Sequence, residues 1–488
     1  MKKIFIIIIS AFFVVTSCQN LEDLNVNTKD PSAVKGETLF AYAQKSVVDQ
    51  MVGTNVNYNI FRFFTQQWTE TTYLDEVNYD IVTRTIPGNH WNILYRLGLK
   101  NLDEASKVLK ATPIVLPETP VSMKNKIAQV EIMKVYTWSI LVQTFGNIPY
   151  SEALDITKPT PKYDDAATIY KDLIAKLNVA MTDLDVSDQG MGAYDNIYQG
   201  DVSKWLKFAN SLKLRMGMVI ADYDQTLSKT TVESAVAAGV ILDNADNAAV
   251  KYMANQPNTN PLYVDLVASG RSDFVPANTL VDAMNALKDP RLPFYISQVD
   301  TSSVAGVVKL AYVGGEYGAS NSFSAFSHIS KKIQQPTFEG LVIDAAETEF
   351  LLAEAAERGY SVGGSAESHY KNGVTASVLY WGGTQDDVDT YLASANVKYT
   401  NAASGATWKE KIGTQAWLAL YNRGWEAWQE WVRLDSPVFI APSTAKSEIP
   451  LRLIYPISEQ TLNGASYKAA SAAIGKDLVT TKLFFDKH

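Results

Sequence analysis

Five of the chain's ten tryptophans fall between Trp408 and Pro437, in WKEKIGTQAWLALYNRGWEAWQEWVRLDSP. Trp408, Ile412 and Ala416, then Leu418 and Tyr421, recur at the three-to-four spacing of one helix face, and Trp425, Trp428 and Val432 repeat it. The pattern predicts two consecutive helices jointed at Asn422, Arg423 and Gly424. They are closed at Ser436 and Pro437, because proline has no amide hydrogen with which to continue the ladder. An aromatic stripe of this kind faces either a packed interior or a flat ligand such as a sugar ring. Helical spacing with charges on one face favours the interior.

A chain of 488 residues, 47% of them hydrophobic, is long enough to bury a large core. Its net charge of −9 and lack of any Lys/Arg cluster argue against a nucleic-acid partner. With four histidines and one cysteine, zinc or thiol chemistry is not expected, and neither is a cofactor. The 25 tyrosines and 18 phenylalanines suit a polyhydroxylated or amphipathic ligand.

The N-terminus sets the compartment. Lys2 and Lys3 precede an apolar run from Ile4 to Val15 that is too short to span a bilayer, and Val15, Thr16, Ser17 and Cys18 follow. This reads as a lipoprotein signal peptide over residues 1–17, with Cys18 as the acylated first residue of the mature chain and the anchor to a membrane. Residues 18–36 are polar and read as a tether. Residues 37–488 read as a single helical domain with a loop-rich insertion around 243–338.

Helices are predicted over Thr38–Val52, from Asn89 or His90 to Leu109, over Ser122–Phe145 with Gly146 as a left-handed cap, and from Asp164 or Asp165 to Leu184. Further helices are predicted from Ser203 to before Asp222 and over Pro276–Leu287, with a strand over Val307–Val313. Asp344–Gly359 and Ala366–Leu379 read as an antiparallel pair. Within the pair, Ala366, Tyr370 and Gly373 have the small, aromatic, small spacing of a tetratricopeptide second helix. The fold class is therefore all-α, with tetratricopeptide-like helix pairs and a loop-rich side that faces ligand.

Several stretches together resemble the SusD/RagB family of Bacteroidetes outer-membrane lipoproteins. They are the box at Cys18, TFGNIPYSEAL from Thr144, VSKWLKFANSLKLRMGM from Val202, DPRLPFYI from Asp289, ETEFLLAEAAERGY from Glu347, RGWEAWQEWVRLDSP from Arg423 and RLIYPISEQTLN from Arg452. The resemblance implies a non-catalytic, cell-surface protein that binds oligosaccharide and passes it to a SusC-like, TonB-dependent outer-membrane transporter. A peptide ligand, or a lipid-anchored glycan-processing enzyme, is the rival reading. The resemblance also makes Trp205, Asn210 and Arg215 structural, and it matches Glu426, Trp428, Glu430 and Arg433 to a packing motif. Glu426 and Arg433 lie seven residues apart on one face, and Glu430 is also within reach of Arg433, so at least one buried pair is expected.

No hydrolase, phosphate-loop or metal motif is present, and the Glu347, Glu349, Glu354 and Glu357 carboxylates fall along one helix as a pairing or solvated face. Glycan binding instead needs exposed aromatics beside Asn, Asp and Arg in loops. Two regions mix these types. One holds Trp68, Tyr73, Asp75 and Asn78; the other holds Arg271 and Phe274 with Tyr317, Asn321 and Phe323.

Overall fold

The long helices begin where the sequence offers a side-chain oxygen to their first free amides. In the structure, a computed structural model that describes residues 34–302 and 308–488, Asp165 caps Ala166–Thr182, Asp201 caps Val202–Val219 and Asp344 caps Ala345–Glu357. The signal segment, Cys18 and Val307 lie outside the described residues. The expected start at Ser122 moves back to Thr119, because the two residues form a reciprocal capping box in which Ser122 is the third helical residue. That helix, Pro120–Phe145, ends on Gly146 at φ +85°, a conformation open to glycine at little cost. Ile86–Ala111 runs as one rod with a π-helical segment over Ile93–Leu99.

These rods stack as antiparallel neighbours. Ala345–Glu357 lies along Ala366–Trp381, and a Cβ at Gly373 would sit about 3.0 Å from the Phe350 ring, so the small residue sets how closely the pair approaches. Strands are few and short. Four two-stranded antiparallel pairs occur among the described residues, and Val299–Asp300 with Leu310–Ala311 is the one in the expected hairpin. The pairing of Trp68–Glu70 with Phe274–Pro276 brings together two regions about 200 residues apart in sequence.

Trp408–Ala419 and Gly424–Leu434 form the two expected helices. Trp425 and Trp428 are buried, and their indole N–H groups donate to Thr144 Oγ1 (2.9 Å) and the Pro450 carbonyl (2.7 Å). Trp428 stacks on Phe61 with ring centroids 5.0 Å apart. Trp205 is likewise buried and donates to Asp195 at 2.7 Å. At the joint, Asn422 takes φ +67° and turns its carbonyl and Oδ1 towards the buried Arg62 guanidinium, which also donates to the carbonyls of Val52 and Gly53. Gly424 leaves the room for this: a Cβ there would lie 2.6 Å from the Arg62 backbone nitrogen.

Charges are buried beside this joint in two groups. Glu347 accepts from Arg215 (2.5 and 2.8 Å) and Arg423 (2.5 Å), and Arg423 also lies 3.1 Å from Asp344. Glu354 accepts from Arg433 at 3.1 and 2.6 Å, and Arg433 also reaches Glu430 at 2.8 Å. Glu426 is directed towards Arg423, 3.7 Å away at the start of its own helix, so it does not pair with Arg433, which keeps the expected neighbour Glu430 and adds Glu354 from another helix. Burial alone would raise the Glu354 carboxyl, but Arg433 and Arg358 outweigh it and hold it below the usual carboxylate range. Asn210 is buried and makes one long bond, 3.4 Å, to the Ala238 carbonyl.

Candidate functional site

The strand pairing places Tyr73, Arg271 and Phe274 around one cleft of about 230 Å³, whose wall also includes Asn55, Asn57, Glu70, Arg84, Asp265 and Asp273. Phe274 is buried in the floor and Arg271 is exposed at the edge. Tyr73 is 66% exposed, the most exposed aromatic residue among those described. Its backbone sits at φ +59°, and Gln66, Tyr79 and Thr85 share that left-handed region, so four of the nine such non-glycine residues among those described fall in this one segment. Strain of about 1–3 kcal/mol per residue persists where surrounding structure enforces it, typically at ligand sites.

The charges of the cleft are mostly matched within its wall. Arg271 pairs with Asp273, and Arg84 with the buried Glu76 behind Glu70. Burial first, and then the neighbouring Glu76 charge, push the Glu70 carboxyl up to about 10, in the direction that favours a protonated form able to donate as well as accept. Asp265 is also raised by burial, against the opposing pull of the Thr54 amide and Arg62. Such a wall offers hydrogen bonds in both directions with little net charge, which suits sugar hydroxyls.

Glu70 also yields a stability prediction. Because its folded pKa lies above its unfolded one, its contribution is fully present below about 4.5 and is lost as pH rises towards about 10. Glu70→Gln should therefore stabilise the protein at pH 8 by at least about 1 kcal/mol, the worth of one pKa unit. The gain should shrink towards pH 4.5. A melting-temperature difference that does not vary with pH would contradict the assignment.

The remaining candidates serve the scaffold. Trp68 is fully buried and its N–H donates to Tyr421 at 3.0 Å, which corrects the expectation of a stacking platform: the short strand turns the ring inward. Asn78 is buried, with its amide on the Leu74 (2.8 Å) and Gly318 (3.1 Å) carbonyls, and the Asn321 amide is likewise spent on backbone carbonyls. Tyr317 donates to the Phe63 carbonyl at 2.6 Å, and Phe323 stacks on His328 with centroids 3.9 Å apart. Asp75 is exposed and lies outside the cleft wall. Sequence reading missed Asn55, Asn57, Glu70, Arg84 and Asp265. Only the strand pairing brings the loops that carry them together.

A larger cleft, about 680 Å³, lies between Ile86–Ala111, Pro120–Phe145 and Ala166–Thr182. Three of its four lysines, Lys107, Lys134 and Lys176, are paired with Asp103, Glu131 or Asp172. Of its aromatics, Trp138 is buried and Tyr150 is covered by Lys176 at 4.7 Å from the ring centre. Size favours this cleft, whereas an open aromatic face favours the one at Tyr73. Among the described residues no group of three or more His, Cys, Asp or Glu is placed to hold a metal ion, and no helix is long and apolar enough to cross a membrane.

Stacked helix pairs carrying a loop-built cleft define a helical ligand-binding scaffold. The chain belongs to the SusD-like family, described as starch-binding and associating with the outer membrane, whose model matches residues 28–456. A solved chitin-binding protein is similar over 93% of this chain and 100% of its own, with 26% identity and a TM-score of 0.76. A SusD homologue from Bacteroides uniformis matches over 92% and 99% of the two chains, at 26% identity and a TM-score of 0.74. A chitin-binding SusD homologue from Flavobacterium johnsoniae shares the fold at 23% identity, 92% and 98% coverage, and a TM-score of 0.73. No curated protein matches the chain.

Proposed function

We propose that the protein is a non-catalytic glycan receptor of the outer-membrane surface. It is tethered through acylated Cys18 and delivers oligosaccharide to a SusC-like, TonB-dependent transporter. The observation that carries the binding half is the Tyr73 ring, held exposed at the rim of a cleft whose charges are largely paired. A sugar's apolar face stacks on such a ring while its hydroxyls exchange bonds with Arg271, Asp273 and Glu70. Family membership supports the outer-membrane setting, and a chitin-binding relative at 26% identity makes chitin oligosaccharides, with starch, the first ligands to test. Purified protein should be retarded in gels containing one of these glycans and release no reducing ends from it. Unretarded migration in every glycan, or turnover, would overturn the proposal.

A further inference from the structure

Residues 112–118 join the rod Ile86–Ala111 to helix Pro120–Phe145, in a turn where the Glu118 amide donates to the Val115 carbonyl at 2.9 Å. The turn carries three consecutive apolar side chains outwards: Ile114, Val115 and Leu116 are 46%, 68% and 90% exposed. Such a run is a liability unless something covers it. Both ends of the turn are fastened beside the start of helix Gly36–Val52. A Cβ at Gly36 would lie 2.6 Å from Leu109 Cγ, just before the turn, and Lys126 is shared between Glu37, at 2.9 Å, and Glu118 at the turn's end.

Gly36 is also where the domain receives the chain from Cys18, and that connection spans at most about 65 Å when fully extended. A contact between this turn and the lipid around the anchor is therefore intramolecular, so a weak apolar insertion is enough to be populated. Three side chains on one turn fall far short of the roughly 800 Å² that a standard protein interface takes from each partner, whereas a projecting apolar tip fits between lipid headgroups. Resting on the reading of Cys18 as the acylated residue, we infer that Ile114, Val115 and Leu116 form a second membrane contact, inserted into the leaflet that holds the acyl chains. Two contacts fix which side of the domain is turned towards the membrane, where a single tether leaves it free to rotate. The lysine and two carboxylates that fasten the turn offer no net positive charge, so the contact depends on apolar burial and not on anionic lipid.

The acylated protein, purified from membranes and reconstituted in phosphatidylcholine vesicles, tests this. Cys18 is the chain's one cysteine and acylation removes its thiol, so Leu116→Cys can be labelled alone with a thiol-reactive, environment-sensitive fluorophore. Its emission should shift to shorter wavelength on reconstitution and be quenched by spin-labelled lipid. Ile440→Cys is the control: Ile440 is 81% exposed and its carbonyl accepts from Gln66, in the segment whose Arg62 is bonded to Val52 at the other end of a helix about 25 Å long. A label there should neither shift nor be quenched. No shift at position 116, an equal response at position 440, or a shift that spin-labelled lipid leaves unquenched, as contact with a second copy of the chain would give, would overturn the lipid contact and leave the anchor intact. Uptake of the fluorophore by the wild-type chain would instead reveal a free Cys18 thiol and remove the anchor, and the second contact with it.

Discussion

Replacing Arg433 by alanine is expected to destabilise the protein by about 3–5 kcal/mol, because it strands buried carboxylates without their counter-charge. Glu354 is 1% exposed and would lose both bonds it accepts from Arg433, at 3.1 and 2.6 Å. Glu430 would lose its 2.8 Å contact, and the Met218 carbonyl a 3.1 Å donor. Arg358, 2.8 Å from Glu354, remains and limits the damage, but it is already shared with Asp222 at 2.7 and 2.8 Å. A fall in Tm of about 5 °C or more should follow. Arg433→Lys should recover little, since an ammonium cannot reproduce a planar fork that serves two carboxylates. A melting curve unchanged by Arg433→Ala would show that the ion group contributes nothing to stability.

The second large effect concerns binding. Tyr73→Ala is expected to weaken glycan affinity about 30-fold, the equivalent of about 2 kcal/mol for truncating the aromatic platform on which the sugar stacks. Stability should barely move, because the ring is 66% exposed and removing an unburied side chain forfeits little apolar contact. Alanine keeps the left-handed backbone strain that tyrosine bears at φ +59°, so the loop itself is not relaxed by the change. Affinity retained in the variant, with unchanged melting, would remove Tyr73 from the site.

The helical part of this molecule is legible in its sequence because its signals are local. Asp165 and Asp344 announce helix starts within a few residues of the amides they cap, Asp201 moves the start expected at Ser203 to Val202, and the Trp408–Pro437 stripe yields its two helices from periodicity alone. The family follows from motifs spread along the chain. What is not legible depends on contacts across hundreds of residues. Nothing near Trp68 reveals that a three-residue strand pairs it with Pro276 and turns its ring inward, so it resembled an exposed platform. Glu426 and Arg433 share a helix face, yet Arg433 takes Glu354 from a helix 79 residues away. The cleft itself is assembled from four separate stretches of chain, and only Tyr73, Arg271, Asp273 and Phe274 carried a residue-type signal.

Whether glycan stacks on Tyr73 is read out by the structure of the protein bound to the oligosaccharide that retards it most in gels. A sugar ring is expected stacked on Tyr73, with hydroxyls within hydrogen-bond distance of Arg271 and Asp273. A ligand seated instead in the larger cleft between Pro120–Phe145 and Ala166–Thr182, with Tyr73 untouched, would contradict it.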